Sequence, residues 1–329
     1  MKAWRAEEFG TIADVLTLQD VEIPQPPPGF VTIRVLAAGV ALPDALMLKG
    51  NYPLVSKPPV SPGMEAAGEI VALGAGVAGL AIGDRIATIT AAVLGWGGFA
   101  EYCLADAIKA FPIPAGMSDA EAAGFTIPFK TAHVALVHRT QLKANETLLV
   151  LGAAGSSGAA AIQLGKALGA RVIAVAGSVE KLNFCKNSGA DELLDYRTAD
   201  DIIAQIRKIT DGEGVNVIFD PVGGPLATDM TQCMAPHGRF AIIGFASGGW
   251  VQLDPHHMVL NNYSAAGVFA GNLTDAESRQ TIADLTKLAE TGAIATKIGR
   301  TFAFDQVRDA IALQESGDFT GKLVVQVAT

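Results

Sequence analysis

The residues best suited to chemistry in this chain are glycines crowded between an apolar strand and a small-residue helix. They lie in LLVLGAAGSSGAAAIQLGKALGARVIAVAGSVEK, residues 148–181. A helix that opens directly after such a turn offers unpaired backbone N–H groups, and the positive end of its dipole, to a negatively charged group such as a phosphate. The spacing approximates the dinucleotide turn G-x-G-x-x-G, with Ala153, Gly155 and Gly158 in the three places. Ala153 departs from that pattern by one methyl group. Gly155 lets the backbone approach a pyrophosphate, Gly158 lets the helix lie close to the strand, and Ser156 and Ser157 add hydroxyl donors. A turn of this kind also serves plain strand–helix packing; its place inside a strand–helix–strand unit favours a dinucleotide.

The next strand indicates which dinucleotide. A site selective for NAD usually carries Asp or Glu at the end of the second strand, bonded to the ribose 2′-hydroxyl. Here that strand ends Ala174, Val175, Ala176, Gly177, Ser178, without an acid, and Lys181 follows one turn later. A hydroxyl, a helix N-terminus and an ammonium suit a 2′-phosphate, so NADPH is expected over NADH. The alternative for Lys181 is a solvated helix charge balanced by Glu180.

These residues must be positioned by alternating strands and helices. Strands are expected at 147–152, 171–176, 215–220 and 239–245, with helices at 157–169, 179–189 and 199–210, the helices of the first two pairs ended by Gly169 and Gly189. That alternation predicts right-handed crossovers and a parallel sheet. Before it lie short strands at 31–40, 69–74, 84–89 and 99–105, punctuated by PQPPPG and SKPPVSPG, which predict a compact, barrel-like β domain. After 271 come two helical stretches and a closing strand, KLVVQV, able to complete the first domain.

The totals bound the partners. With 329 residues, half of them hydrophobic, the chain can bury two cores, and its formal net charge of −9 argues against a polyanionic partner. Cys103, Cys185 and Cys233 are too far apart to suggest a disulfide framework or a metal knuckle. The start MKAWRAEEFG lacks a signal-peptide core, and the longest apolar run is too short for a bilayer. The expectation is a cytoplasmic protein with no nucleic acid and no membrane among its partners.

GVALPDALMLKGNYP, SPGMEAAGEIVALGAGVAGLAIGDRI, LVLGAAGSSGAAAIQLGKALGA, GADELLDY, FDPVGG and TGKLVV occur in one order along nearly the whole chain. In this the chain resembles the quinone oxidoreductase (zeta-crystallin-like) branch of the medium-chain dehydrogenase/reductase superfamily. The resemblance implies an α/β fold: a GroES-like β domain (1–124 and 267–329) beside a doubly wound Rossmann domain (125–266), with NADPH in the cleft between them and a homodimer through the strand near 265–270. It carries Gly155, Ser156, Ser157 and Gly158 onto the pyrophosphate loop, and Ser178, Lys181 and Tyr196 onto the surroundings of the 2′-phosphate. Thr131 falls on a helix near the nicotinamide. Val222, Phe245, Ala246, Val268 and Phe269 fall in loops after later strands, where they also suit packing, and Lys322 is a further cofactor candidate. Ala41 departs from the family, which often has Asn there.

The wider superfamily includes zinc alcohol dehydrogenases, whose catalytic metal needs Cys and His ligands. In this chain the relevant Gly-His-Glu element reads Gly63, Met64, Glu65, and no Cys lies in 40–44. A thioether is a poor zinc ligand, so no metal is expected, and Glu65 reads as a buried carboxylate bonded within the β domain. Without a Lewis acid the chemistry shifts to an acceptor that takes hydride readily, a quinone or an α,β-unsaturated carbonyl. Tyr52, in a loop expected to border the cleft, is the candidate proton donor, with an aromatic pocket wall as its other reading; Asp44 reads as a positioning residue. An enoyl-thioester reductase and a non-catalytic NADPH-binding protein are the alternatives.

Overall fold

The computed structural model describes residues 1–328. The chain divides into two units: Met1–Ile127 with Thr274–Thr286 and Thr296–Thr329, and Pro128–Leu273 with Lys287–Ala295.

The first unit contains β1 (Lys2–Arg5), β2 (Thr17–Asp20), β3 (Phe30–Gly39), β4 (Glu65–Leu73), β5 (Arg85–Ile89), β6 (Tyr102–Asp106) and β7 (Phe111–Pro112). The second contains β8 (Thr147–Val150), β9 (Arg171–Ala176), β10 (Glu192–Asp195), β11 (Val215–Asp220), β12 (Met234–Ile242) and β13 (Ser264–Gly267). Two further strands, β14 (Ile298–Ala303) and β15 (Lys322–Gln326), return to the first.

In the first unit β1 and β2 pair antiparallel, and seven strands form a sheet in the order β14-β15-β3-β4-β5-β7, with β6 also on β3. β3 is its spine, because alternate side chains Val31, Ile33 and Val35 turn into a core shared with Ile70, Ile86, Leu323 and Val325. β15 lies antiparallel to β3, with Val324 opposite Gly39, so the last strand of the chain completes the unit built by the first hundred residues. The helices Leu42–Leu48 and Val307–Ser316 add Met47, Leu48, Val307 and Ile311 to that core.

The second unit is a six-stranded parallel sheet in the order β10-β9-β8-β11-β12-β13. Helices cover both faces, so its inner strands are apolar throughout rather than alternating: Leu148, Leu149 and Val150 of β8 and Val217, Ile218 and Phe219 of β11 are all fully buried. The order of winding reverses between β8 and β11, which is where ligands bind in sheets of this class. Gly169 and Gly189 take φ of +82° and +107° just past the ends of helices Ser156–Ala167 and Val179–Asn187, in the role read for them from the sequence.

The observed division departs from the expected boundaries at 125 and 267. Residues 267–273 stay with the parallel sheet because β13 pairs with β12 and Val268 N–H donates to Ile242 O at 2.9 Å. Residues 287–295 join them, tied by Ala295 N–H to Gln163 Oε1 at 2.9 Å. A second departure concerns His256 and His257, which lie outside every helix expected from the sequence. They sit on the helix Pro255–Asn261, which Asp254 caps by accepting the His256 N–H at 2.9 Å and which proline opens. Among the described residues no helix is long and apolar enough to cross a membrane.

Candidate functional site

At the carboxyl end of β8 the chain turns through Gly152, at φ +55°, and enters the helix Ser156–Ala167. Gly155 occupies the N-cap and has no side chain to bond the first-turn N–H groups, which therefore stay available to an anion. Gly158 is required by contact: a Cβ there would lie 2.4 Å from Gly152 O and 2.6 Å from Ala153 Cα. The close approach of helix and strand read from the sequence is thus present at this glycine, and Ser156 and Ser157 sit partly exposed at the helix head.

The other strand ends converge along the same sheet edge. After β9, Ser178 caps the helix Val179–Asn187, its Oγ accepting the Lys181 N–H at 3.2 Å. Tyr196 follows β10 and donates its N–H to Ala176 O at 3.2 Å, which places it beside the end of β9. After β11, Asp220 Oδ1 accepts the N–H groups of Val222 and Gly223, both at 2.8 Å, so that Val222 is pinned next to Gly152. Burial raises the Asp220 carboxyl above its usual range, against those two bonds. After β12 come Phe245, whose ring meets Trp250 at 4.5 Å, and the exposed Ala246. After β13, Val268 is buried and Phe269 is 54% exposed. Thr131 lies on the helix Thr126–His133, partly buried.

Tyr52 and Lys322 belong to the first unit. Tyr52 is partly buried against its core, and burial, with the nearby Asp44 charge, raises the phenol above its usual value, so the hydroxyl keeps its proton. Lys322, a cofactor candidate from the resemblance, is turned inward: its Nζ donates to Glu65 Oε1, and the two residues are 2% and 0% exposed. Glu65 Oε2 accepts the Ile127 N–H at 2.9 Å, so Glu65 is the internally bonded carboxylate that the sequence suggested. Two glycines make room. A Cβ on Gly39 would fall 2.8 Å from Glu65 Oε1, and one on Gly124 would fall 2.6 Å from Lys322 Cγ.

Asp44 is completely buried and feels the Lys322 charge. It accepts Ala41 N–H at 2.8 Å, Gly63 N–H at 2.7 Å and Met64 N–H at 3.0 Å, the positioning role read for it. Burial raises its carboxyl to about 6, opposed by the three N–H groups and the Lys322 charge. The donors that a zinc ion would need at Gly63–Glu65 do not fit one: Met64 offers a thioether, Glu65 is engaged by Lys322, and among the described residues no three His, Cys, Asp or Glu side chains gather as a ligand set.

Sequence reasoning missed the partner of Glu65, because 257 positions separate it from Lys322 and no local pattern links them. It also missed the helix Leu42–Leu48, although Pro43 at its first turn and Asp44 bonded back to Ala41 were available signals.

Comparison with known proteins accords with this geometry. Residues 27–115 match the alcohol dehydrogenase GroES-like domain family and residues 158–291 the zinc-binding dehydrogenase family. A quinone oxidoreductase of Lama guanicoe is 33% identical over 99% of this chain and 97% of its own length. A probable oxidoreductase from Mycobacterium abscessus shares 33% identity, with a TM-score of 0.87 over 99% of both chains. A mycobacterial protein solved in complex with NADPH is 28% identical, with a TM-score of 0.91 over 99% of this chain and all of that one.

Two outcomes follow from the buried charges. Replacing one partner of the pair, by Glu65→Gln or Lys322→Met, leaves the other charge buried and is expected to cost about 3–5 kcal/mol in denaturant unfolding. The double variant should recover part of that loss; a double variant that loses the sum of the two would show no coupling between them. For Asp44, a carboxyl whose folded pKa lies above its unfolded value binds more protons folded than unfolded between roughly pH 4 and 6, so its contribution falls as pH rises through that window. The stability advantage of the wild type over Asp44→Asn should therefore shrink by up to about 3 kcal/mol from pH 4 to 6. An advantage that grows with pH would reverse the assignment.

Proposed function

Because the chain belongs to the quinone oxidoreductase branch of the medium-chain dehydrogenase/reductase superfamily, we propose that this oxidoreductase uses NADPH, needs no zinc, and passes hydride to a quinone or an α,β-unsaturated carbonyl. The observation that carries the reading is the end of β9, where Ser178 and Lys181 stand in place of the acid that would favour NADH, next to a glycine-lined helix head. The mycobacterial relative solved with NADPH supports the cofactor. The engaged Glu65 and the thioether of Met64 support an acceptor that needs no Lewis acid.

When bound, NADPH supplies the hydride. The residues of this chain then have separate tasks. Gly155, Ser156, Ser157 and Gly158 hold the pyrophosphate at the helix head; Ser178, Lys181 and Tyr196 surround the 2′-phosphate; Val222, Phe245, Ala246, Val268, Phe269 and Thr131 line the nicotinamide end. Lys322 serves through Glu65, as a positioning residue rather than a direct contact. Tyr52, protonated at working pH, donates a proton to the α carbon or oxygen of an enone as hydride reaches its other end. A quinone needs no such donor at that moment, since the hydroquinone anion can be protonated later by water. The three cysteines are free and buried, which suits a reducing, cytoplasmic setting.

The test is a panel of quinones and enones with NADPH, run with and without a chelator, beside metal analysis and Tyr52→Phe. Activity should persist in chelator with no stoichiometric zinc. In Tyr52→Phe the enone rate should fall by about 10²–10⁴, the usual worth of a positioned proton transfer, while the quinone rate changes little. An unchanged enone rate removes Tyr52 as the acid. NADPH binding without turnover of any acceptor would favour a binding protein over a reductase.

We also propose a homodimer. β13 is one of the two edge strands of the parallel sheet, and the helix before it exposes Val259 at 73% and Leu260 at 66%. Pairing of β13 with its two-fold mate would cover the edge. Light scattering at micromolar concentration should give the mass of two chains; the mass of one would overturn it.

A further inference from the structure

A second cation stands at the end of β9, beyond the residues already assigned there. The parallel register sets Asp195 of β10 beside Ala176 of β9, and the Tyr196 N–H donates to Ala176 O, so the chain leaving β10 runs alongside Gly177 and Ser178. Gly177 has no side chain, and two others occupy the space over it. A Cβ there would fall 2.8 Å from the Tyr196 ring and 2.9 Å from Arg197 Nε. The guanidinium carbon of Arg197 lies 5.8 Å from the centroid of the Tyr196 ring, close enough for a cation–π contact. Asp195, the carboxylate nearest in sequence, directs Oδ1 to the backbone N–H of Arg197 at 2.9 Å instead of to its side chain. Among the described residues the guanidinium has no ion-pair partner.

We propose that Arg197 is a specificity-determining residue that binds the 2′-phosphate of the cofactor's adenosine. This rests on the reading of the site as an NADPH site. A phosphate monoester carries about −1.5 to −2 charges at neutral pH. The Lys181 ammonium offers one positive charge, and Arg197 supplies the second. Its planar fork can give two parallel N–H bonds to phosphate oxygens, which an ammonium cannot. The Tyr196 ring limits the orientations of the guanidinium before the ligand arrives, and the bare Gly177 lets both side chains close down on the strand end. The 2′-hydroxyl of NADH offers no charge to this group.

Dissociation constants for NADPH and NADH, measured by nucleotide fluorescence in the wild type, Arg197→Gln and Arg197→Lys, decide the matter. Arg197→Gln should weaken NADPH by about five- to fiftyfold and NADH by less than about twofold, and Arg197→Lys should recover part of the loss. Equal weakening of both nucleotides, or an NADPH preference that survives Arg197→Gln intact, overturns the role of Arg197 while leaving the NADPH reading standing. A wild type that binds both nucleotides equally overturns the site reading and Arg197 with it.

Discussion

The first unit depends on one buried contact, the ion pair between Glu65 and Lys322. Each charge has left water, a change that costs several kcal/mol per ion unless partners restore what hydration supplied. The restoration is visible: Lys322 meets Oε1, and the Ile127 N–H meets Oε2. Room for the pair exists only because residues 39 and 124 lack side chains. The contact binds the start of β15 to the start of β4 and to the first turn of the helix Thr126–His133, three segments that the chain order holds far apart. Asp44 extends the same logic to the loop before β4. It gathers three N–H groups from two segments, so the turn at Gly63–Met64 and the helix Leu42–Leu48 are fixed by one carboxylate.

The second unit is organised by space instead of charge. Its inner strands are largely apolar and buried, and their order follows from that. What distinguishes the carboxyl edge of this sheet is bare backbone. Gly152, Gly158 and Gly177 each mark a place where a side chain would strike a neighbouring segment, at Val222, at Gly152 O or at the Tyr196–Arg197 pair. The glycine turn is therefore as much a packing requirement as a ligand device. The same absence of Cβ that brings helix to strand exposes the N–H groups an anion would use.

That difference explains what the sequence made legible. The parallel sheet was readable because its signals are local: apolar runs bounded by glycines, with helical stretches between them, fix β9 and β11 to the residue. The glycine turn was readable because its spacing spans six residues. The ion pair was not, since Glu65 read as a buried carboxylate without a named partner and Lys322 as a cofactor candidate, and nothing joins the two until β15 is laid against β3. Arg197 escaped notice for a related reason. Alone it is one more exposed arginine, and only the register between β9 and β10 sets it over Gly177. The helix Pro255–Asn261 shows the opposite failure, where a local signal, Asp254 followed by Pro255, was present and went unread.

The buried pair also bears on the zinc-free reading proposed for this β unit. A carboxylate left at position 65 beside Met64 would be an uncompensated charge in an apolar core, and such a charge either draws a cation or takes up a proton. Lys322 supplies that cation from within the chain, on a strand that the fold already needs for closure. The same lysine helps the Asp44 carboxylate against the burial that opposes it. Charge balance that an ion could provide is thus built into the backbone topology, through a side chain that cannot dissociate. A polarising ion would need these oxygens free, and each of them that the structure pairs with a backbone N–H or with Lys322 would have to surrender a contact that closes the unit. On the function proposed above, the arrangement suits acceptors whose own conjugation stabilises the electrons delivered to them.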